Sequence, residues 1–214
     1  MKYNDHYALG KYITEVYAIE KTWQKFWFLL GNVLPDINKA TYLQGYGKLR
    51  DKLTEKGEPL SLNDRRRLMI AGHTAEGSRY YVNKYTKIMR RRYHGVASEK
   101  PSWYSWYRIG KLTHYVADRF TYPHTLRCRY DFWTHVDYEE LLHVKFSRLI
   151  KEMQRNGREQ AERIRNIVSD SLGKINFDSL YKAYRSEDRQ VETDCIYILA
   201  ACVKYMGYIL PRHV

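Results

Sequence analysis

The sequence predicts an all-α fold, a multi-helix bundle formed by one domain over residues 1–214. Apolar residues recur at spacings of three and four from one end of the chain to the other, which is typical of amphipathic helices. Alternating apolar and polar runs and Asn-Gly hairpin signals, which would indicate strands, are absent from the sequence. Hydrophobic residues make up 44% and charged residues 29%, a composition that supports a globular domain with a core.

The N-terminal part of the chain predicts one long helix and then a loop. The helix is expected from about Tyr7 to Leu30, because apolar residues line one face of it, and Gly31 and Pro35 predict its end. That apolar face comprises Ile13, Val16, Tyr17, Trp23, Phe26 and Trp27. Residues 38–60 are interrupted by Gly45, Gly47, Gly57 and Pro59, and we expect a long loop with room for a short helix.

The remainder of the chain predicts further helices. Ser61-Leu62-Asn63-Asp64 resembles a helix-capping sequence, from which a helix extends to about Arg92. A loop with Gly95 and Pro101 precedes a helix over residues 102–120, which ends before Pro123. Asp131 is a suitable cap for the following helix, which continues to about Asn156. Three more helices are expected near 158–172, 177–185 and 187–209.

The excess of basic residues predicts an anionic partner. Thirty-seven Lys and Arg residues outnumber 24 Asp and Glu residues, and the formal net charge is +13. Nucleic acid, an anionic membrane or a phosphorylated substrate would each suit this charge. The two arginine clusters, Arg65–Arg67 and Arg90–Arg92, lie in helical patterns, and we interpret them first as solvated helix faces.

The cysteines and the apolar segments predict an intracellular protein. Three cysteines do not make a disulfide framework. Cys195 and Cys202 lie seven residues apart on an apolar helix and are expected to pack in the protein core. The N-terminus lacks the apolar stretch of a secretory signal, and the apolar segment 195–210 contains Lys204 and is too short to span a membrane. These features predict a cytoplasmic location.

The residues with metal chemistry are concentrated between His114 and Glu139. His114 and Asp118 are four residues apart on one predicted helix, so their side chains emerge on the same face, and His135 and Glu139 repeat that spacing on the next helix. His124 follows Pro123 between the two helices. Imidazole and carboxylate groups at this spacing suit zinc, manganese or iron inside a helical bundle.

Each pair on its own has a simpler explanation. A single histidine–carboxylate pair at this spacing is more often a surface hydrogen bond than a metal site. The spacing also leaves the choice of histidine open, because His143 lies four residues beyond Glu139, as His135 lies four residues before it.

Taken together, these residues resemble the ligand pattern of the bacterial zinc-dependent phospholipase C family, with His-x3-Asp-x5-His followed by His-x3-Glu. The upstream order matches as well: His6 resembles the N-terminal histidine of the family, Asp36 its Pro-Asp element, and His73 the histidine of the following helix. The resemblance covers residues 6–139 and includes five of the eight histidines; His94, His143 and His213 remain outside it.

The resemblance implies two or three bound zinc ions. Two ligand sets are implied: Asp36, His73, His114 and Asp118 for one ion, and His124, His135 and Glu139 for the second. A third ion would share Asp118 with His6 and with the main chain of an N-terminal tryptophan. This sequence has no tryptophan before His6. Three arrangements stay open: the Met1 amine as a substitute, weak binding of the third ion by His6 and Asp118 alone, or a two-metal site.

The implied function is hydrolysis of a phosphodiester, phospholipid among the substrates, by a water molecule that the zinc cluster activates for attack on phosphorus. Asp36 is the residue that we expect to orient or deprotonate this water. A second interpretation is a related phosphodiester nuclease, but these enzymes tend to carry Asp in place of Glu139 and a longer gap than the one between His124 and His135. A basic helical module that binds nucleic acid or membrane without catalysis, and a relative that has kept only a structural metal, also agree with the sequence.

Aromatic residues lie among the implied ligands. Tyr115, Tyr122, Trp133 and Tyr138 would line a pocket for a quaternary ammonium headgroup or pack the core around the metals. Core packing is the interpretation that we favour for any one of them.

Overall fold

A computed structural model of the chain describes residues 1–55, 57–93, 100–125, 132–155, 177–187 and 190–210. Within these residues every regular element is helical, as the sequence predicts. The α-helices are α1 (Tyr3–Val16), α2 (Thr22–Ile37), α3 (Lys39–Tyr42), α4 (Tyr46–Leu53), α5 (Leu62–Met69), α6 (Ala75–Tyr93), α7 (Trp103–Asp118), α8 (Phe132–Gln154), α9 (Phe177–Ser186) and α10 (Val191–Ile209). Two 3₁₀ turns, Ala71–His73 and Tyr122–His124, connect them.

The predicted single helix over residues 7–30 is wrong, because the chain turns between α1 and α2. Ala18 adopts a left-handed backbone conformation with φ of +47°, which ends α1. The apolar spacing happens to continue across this turn, and therefore the periodicity alone does not show it. The predicted apolar face is split as a result: Ile13 is buried, whereas Trp23 and Phe26 are 42% and 57% exposed.

Gly31 and Pro35 do not end α2, contrary to the prediction. Gly31 lies where α2 meets α7, and a Cβ atom there would come within 2.0 Å of the carbonyl oxygen of Tyr107. Gly110 makes the reciprocal approach, with an added Cβ 2.0 Å from the carbonyl oxygen of Phe28. Pro35 falls in the last turn of α2, which ends at Ile37. Both glycines serve close helix packing, and α2 continues far enough to carry Asp36.

The segment predicted as a loop over 38–60 contains two helices, α3 and α4. Asn38 caps α3 by accepting a hydrogen bond from the backbone N–H of Ala40 at 3.1 Å. Gly45, with φ of +83°, permits the turn into α4. Gly45 therefore marks the turn between the two short helices, whereas Gly47 lies inside α4.

The predicted helix over 61–92 starts correctly but is interrupted. Ser61 accepts a hydrogen bond from the backbone N–H of Asp64 at 3.1 Å, as a capping sequence should. The chain then leaves the helix at Ile70 and forms a 3₁₀ turn before α6 begins. His73 lies in that turn and not on a helix, which corrects the position expected from the resemblance.

In the C-terminal half, α7 to α10 correspond to the predicted helices over 102–120, 131–156, 177–185 and 187–209. The helix expected near 158–172, the Asp131 cap and Gly95 lie outside the described residues. α7 and α10 are buried along most of their length and form the centre of the core, with α2, α6 and α8 packed around them. Cys195 and Cys202 are buried and unpaired, in agreement with their predicted packing role.

The arginine clusters are mostly solvated, as predicted. Arg65, Arg66 and the cluster Arg90–Arg92 are exposed, whereas Arg67 is only 6% exposed. Among the described helices, none has the length and apolarity that crossing a membrane would require.

The contact between α2 and α7 leads to a stability prediction. Gly31→Ala should lower the free energy of unfolding by about 2–3 kcal/mol, because the new methyl group overlaps backbone that cannot easily move. Gly47→Ala on α4 is the matched control, since its Cβ would have no atom within 4 Å, and it should be neutral or stabilising by about 0.5–1 kcal/mol. Urea unfolding of both variants measures the difference. Equal stabilities of the two variants would contradict the close contact.

Candidate metal centre

All eight side chains predicted as ligands converge in the structure. Their donor atoms form three groups, two of which share His114, and within each group the atoms lie within 4.8 Å of one another. The groups are His6, His114 and Asp118; Asp36, His73 and His114; and His124, His135 and Glu139. They come from α1, α2, α7, α8 and both 3₁₀ turns. That these residues bind metal stays a prediction; that they meet at one place is a property of the fold.

The carboxylate of Asp118 lies at the middle of the three groups and is only 1% exposed. Its Oδ2 lies 2.8 Å from His73 Nδ1 and 3.2 Å from His114 Nε2. Its Oδ1 lies 3.3 Å from His6 Nε2 and 3.5 Å from His124 Nδ1. One carboxylate thus faces histidines from four separate elements, and it is positioned to bridge neighbouring cations.

Asp36 completes the first half of the centre. Its Oδ1 lies 3.7 Å from both His73 Nδ1 and His114 Nε2, and its Oδ2 lies 3.8 Å from His6 Nε2. These separations exceed a hydrogen bond. They are close to the spacing of about 3.4 Å expected between ligand atoms that surround one tetrahedral zinc ion at about 2.1 Å. Asp36 is 14% exposed, so this half of the centre reaches solvent at Asp36.

The second half combines His124 with the pair on α8. His135 Nε2 lies 3.3 Å from Glu139 Oε1, and the rings of His124 and His135 are 5.4 Å apart. His135 and Glu139 are 14% and 19% exposed, which leaves this half accessible to a substrate. His143 does not join the group: its Nδ1 lies 2.5 Å from Asp5 Oδ1. The choice between His135 and His143, which spacing left open, is therefore made by the direction in which α8 packs.

Several polar atoms at this centre are buried without a hydrogen-bond partner among the described residues. They are both ring nitrogens of His6, Asp36 Oδ2, His73 Nε2, Asp118 Oδ1 and His124 Nδ1. Leaving such atoms unsatisfied costs about 1–3 kcal/mol each, so folded proteins rarely do so without a ligand. Zinc prefers imidazole and carboxylate donors, and the donor set therefore fits bound zinc.

Asn32 is a site residue that the sequence analysis missed. It is fully buried on α2, one turn before Asp36. Its carbonyl oxygen accepts a hydrogen bond from His114 Nδ1 at 2.9 Å, which directs His114 Nε2 towards the carboxylates. Its side-chain amide donates to the carbonyl oxygen of His6 at 2.5 Å. A polar residue on the apolar face of α2 is the signal by which it was detectable.

The electrostatics of the centre favour anionic carboxylates and a neutral His124. Burial raises the pKa of Asp118, but His114, His124 and the N-terminal amine outweigh burial and hold it well below its usual range. Burial and the nearby N-terminal amine lower the pKa of His124 to about 4. At neutral pH the carboxylate is therefore charged and the imidazole is neutral, the forms that bind metal.

The amine of Met1 lies inside the centre. Its nitrogen is 3.0 Å from Glu139 Oε1 and 3.6 Å from Asp118 Oδ1. Burial lowers the pKa of this amine, but Glu139, Asp118 and Asp36 outweigh burial and raise it to about 11. A positive charge thus lies between two of the predicted ligand carboxylates.

Asp194 on α10 holds the second half of the centre together, although it is not among the predicted ligands. Its Oδ2 accepts a hydrogen bond from the backbone N–H of Tyr122 at 2.9 Å, two residues before His124, and another from the hydroxyl of Tyr138, beside Glu139. Asp194 is 3% exposed. Through it, α10 positions the 3₁₀ turn and α8 relative to each other.

The aromatic residues among the predicted ligands pack in the core and hold neighbouring side chains in position. Tyr115 is fully buried, donates a hydrogen bond to Gln44 and lies edge-on to the ring of His114. The backbone of Tyr122 and the hydroxyl of Tyr138 both bind Asp194. Core packing, the favoured interpretation, is confirmed for Tyr115, while the side chain of Trp133 lies outside the described part of the chain.

The role of Asp194 predicts weaker metal binding when it is truncated. Asp194→Ala should lower the zinc affinity of the second half by about 10–100-fold, the usual effect of losing a group that orients ligands. Asp194→Asn keeps an acceptor oxygen and should stay near wild type. Asp51→Ala, at an exposed position, controls for loss of a carboxylate. Titration against a zinc chelator measures all three; equal affinities in Asp194→Ala and wild type would contradict the role.

Asp194 also predicts a pH dependence of stability. Burial, the largest influence, raises the pKa of Asp194 to about 8, although the Tyr122 N–H and the N-terminal amine act to lower it. Because the folded pKa is above the unfolded value of 3.8, this group's contribution to stability is complete below pH 3.8 and is lost as the pH rises through 8. The free energy of unfolding of wild type should therefore fall relative to Asp194→Asn over that interval. Urea unfolding at a series of pH values tests this, and a constant difference would contradict it.

Comparison with known proteins agrees with this geometry. The family described as "Zinc dependent phospholipase C" matches residues 6–190 of the 214. No curated protein and no solved structure matches the chain. The family match and the clustered His, Asp and Glu side chains support a metal-dependent, phospholipase-like hydrolase whose cofactor is zinc. The chain belongs to the zinc-dependent phospholipase C family.

Proposed function

We propose that this protein is a zinc-dependent phosphoric diester hydrolase of the phospholipase C type. The observation that carries the proposal is the convergence of eight imidazole and carboxylate side chains, from elements spread between residues 6 and 139, on one centre around Asp118. Basic modules that bind phosphates do so through Lys and Arg and have no need of such a set. The convergence therefore favours catalysis over a non-catalytic binding role.

Zinc, when bound, would supply Lewis-acid activation of water and neutralise the negative charge that develops at phosphorus. The reaction adds a water oxygen to phosphorus, breaks the ester bond to one alcohol, and transfers a proton from the water to the departing alkoxide. The products are an alcohol and a phosphomonoester.

We assign Asp36 as the general base that accepts a proton from the attacking water. It reaches solvent, and its Oδ2 has no hydrogen-bond partner among the described residues, so this oxygen is able to receive a proton from the attacking water. Asp118, which is deeply buried, holds the histidines in place. The exposed edge formed by His135 and Glu139 is where the phosphodiester would enter.

The donor groups favour two tightly bound ions and a weaker third. Two of the donor groups have no residue in common. One contains Asp36 and His73, and the other consists of His124, His135 and Glu139. The group that contains His6 shares His114 with the first of these. A third ion would therefore compete for donors already in use.

The kind of phosphodiester that we propose as substrate is inferred from family membership. Membership points to phospholipids, and the net charge of +13 favours any anionic diester. Parallel assays with phosphatidylcholine, a soluble nitrophenyl phosphodiester and single-stranded DNA distinguish a phospholipase from a nuclease. We expect zinc-dependent cleavage of phosphatidylcholine; preferred cleavage of DNA would support the nuclease.

The decisive test removes the central carboxylate. Asp118→Asn should lose zinc from both halves and lower diester hydrolysis by at least about 100-fold, because this side chain faces histidines of both. Asp137→Asn is the matched control, since Asp137 lies on α8 between His135 and Glu139 but is exposed. Metal analysis and initial rates measure both effects. Full activity in Asp118→Asn, or metal-free wild-type protein that hydrolyses the diester, would overturn the proposal.

A further inference from the structure

Four large aromatic side chains are exposed together at the beginnings of α2 and α7. Trp23 and Phe26 on α2 are 42% and 57% exposed, and Trp103 and Tyr104 on α7 are 52% and 44% exposed. Trp27 lies between them, half-buried. We call these five residues the aromatic end. Soluble proteins rarely expose so many large apolar groups side by side, and such a patch usually marks an interaction surface.

Four residues of the aromatic end form one chain of ring contacts, and the fifth, Trp23, lies about one helical turn before Trp27 on α2. The ring centroids of Phe26 and Trp27 are 5.2 Å apart, those of Trp27 and Trp103 are 4.7 Å apart, and those of Trp103 and Tyr104 are 5.5 Å apart. Both helices thus contribute to a single chain of ring contacts. The rings hold one another in place, which lowers the entropy cost of presenting them to a partner.

The direction of the two helices separates the aromatic end from the metal centre. Trp27 contacts Trp103, while Gly31 lies against Tyr107 and Asn32 binds His114 further along, so α2 and α7 are parallel. The first turns of both helices therefore lie at the same end of the bundle. Asp36 is nine residues beyond Trp27, about 14 Å along the helix, so the aromatic end is distinct from the metal centre.

Positive charge surrounds the aromatic end. Lys21, Lys25 and Lys100 are exposed beside it, and the Arg108 guanidinium lies 4.3 Å from the centre of the Tyr104 ring. No acidic residue occurs in 22–35 or in 101–117, although Glu20 and Glu99 border these segments. The neighbouring helix α6 carries six basic and no acidic residues over 77–93, and Arg108 also lies 4.7 Å from the ring of Tyr85 on that helix.

We propose that the aromatic end docks on an anionic lipid surface. Tryptophan and tyrosine favour the boundary between headgroups and acyl chains, and Lys and Arg side chains near an anionic membrane are attracted to its negative surface. A second copy of this chain is disfavoured because it would bring the lysines of both copies together. Single-stranded nucleic acid is disfavoured because it stacks on ring faces, and here the rings contact one another. This inference does not depend on the proposed hydrolase activity.

Co-sedimentation with lipid vesicles tests the docking surface. Zinc-loaded wild-type protein should bind vesicles of phosphatidylcholine with added phosphatidylglycerol more tightly than vesicles of phosphatidylcholine alone. The double variant Trp23→Ala/Phe26→Ala should bind at least about tenfold more weakly, because it removes the apolar part of the contact. Leu62→Ala/Met69→Ala is the matched control, since these side chains are 66% and 69% exposed on α5, a helix that contributes no residue to the aromatic end.

The charges are tested in the same assay. Lys25→Glu should weaken binding to the anionic vesicles by about fivefold or more. Its binding to vesicles of pure phosphatidylcholine should weaken by a smaller factor. Lys151→Glu, at an exposed position on α8, is the control for net charge and should have little effect. All four variants should hydrolyse the soluble diester at the wild-type rate, so a failed docking proposal and a failed hydrolase proposal give different results.

Three outcomes would overturn the docking proposal. Wild-type protein that does not sediment with the anionic vesicles contradicts it, as does a Trp23→Ala/Phe26→Ala variant that binds them as tightly as its control. The third outcome is a wild-type dimer that the same double variant converts to a monomer, because the aromatic end would then be covered by a second copy.

Discussion

The buried carboxylate of Asp118 is the constraint on which the rest of the structure depends. A charge with 1% exposure is very costly unless cationic or hydrogen-bonding groups surround it. Here the groups around it come from α1, the two 3₁₀ turns and α7 itself, together with the N-terminal amine. The carboxylate therefore unites segments that are far apart in the sequence, and several of its neighbours still lack partners that a metal would provide.

The close contact of α2 and α7 makes this arrangement possible. Gly31 and Gly110 bring the two backbones together, so that the carbonyl of Asn32 reaches His114 and the last turn of α2 delivers Asp36 to the same place. A larger side chain at either glycine would separate the helices and with them the two carboxylates. The same parallel contact places the exposed rings of both helices together at the opposite end. One packing interaction thus determines both the metal centre and the aromatic end.

Each half of the centre has its own support. The first half is oriented through Asn32, which binds both His114 and the backbone of His6. The second half is oriented through Asp194 and the tyrosines beside His124 and Glu139. This division gives a physical reason to expect the two halves to differ in affinity and access, with the half on α8 more open to solvent.

The sequence by itself determined the helical class, and helical spacing placed His114 with Asp118 and a histidine on the same face as Glu139 without any tertiary contact. His6, Asp36, His73 and His124 were predicted only from the resemblance to the family. The sequence did not determine where α1 ends, because the apolar period continues through the turn at Ala18. Only the tertiary structure decided that Gly31 is a packing residue, that His135 and not His143 joins Glu139, and that Asn32 and Asp194 hold the predicted ligands in position. The reason is that periodicity specifies a face of one helix, whereas the partner that this face meets depends on how all the helices pack.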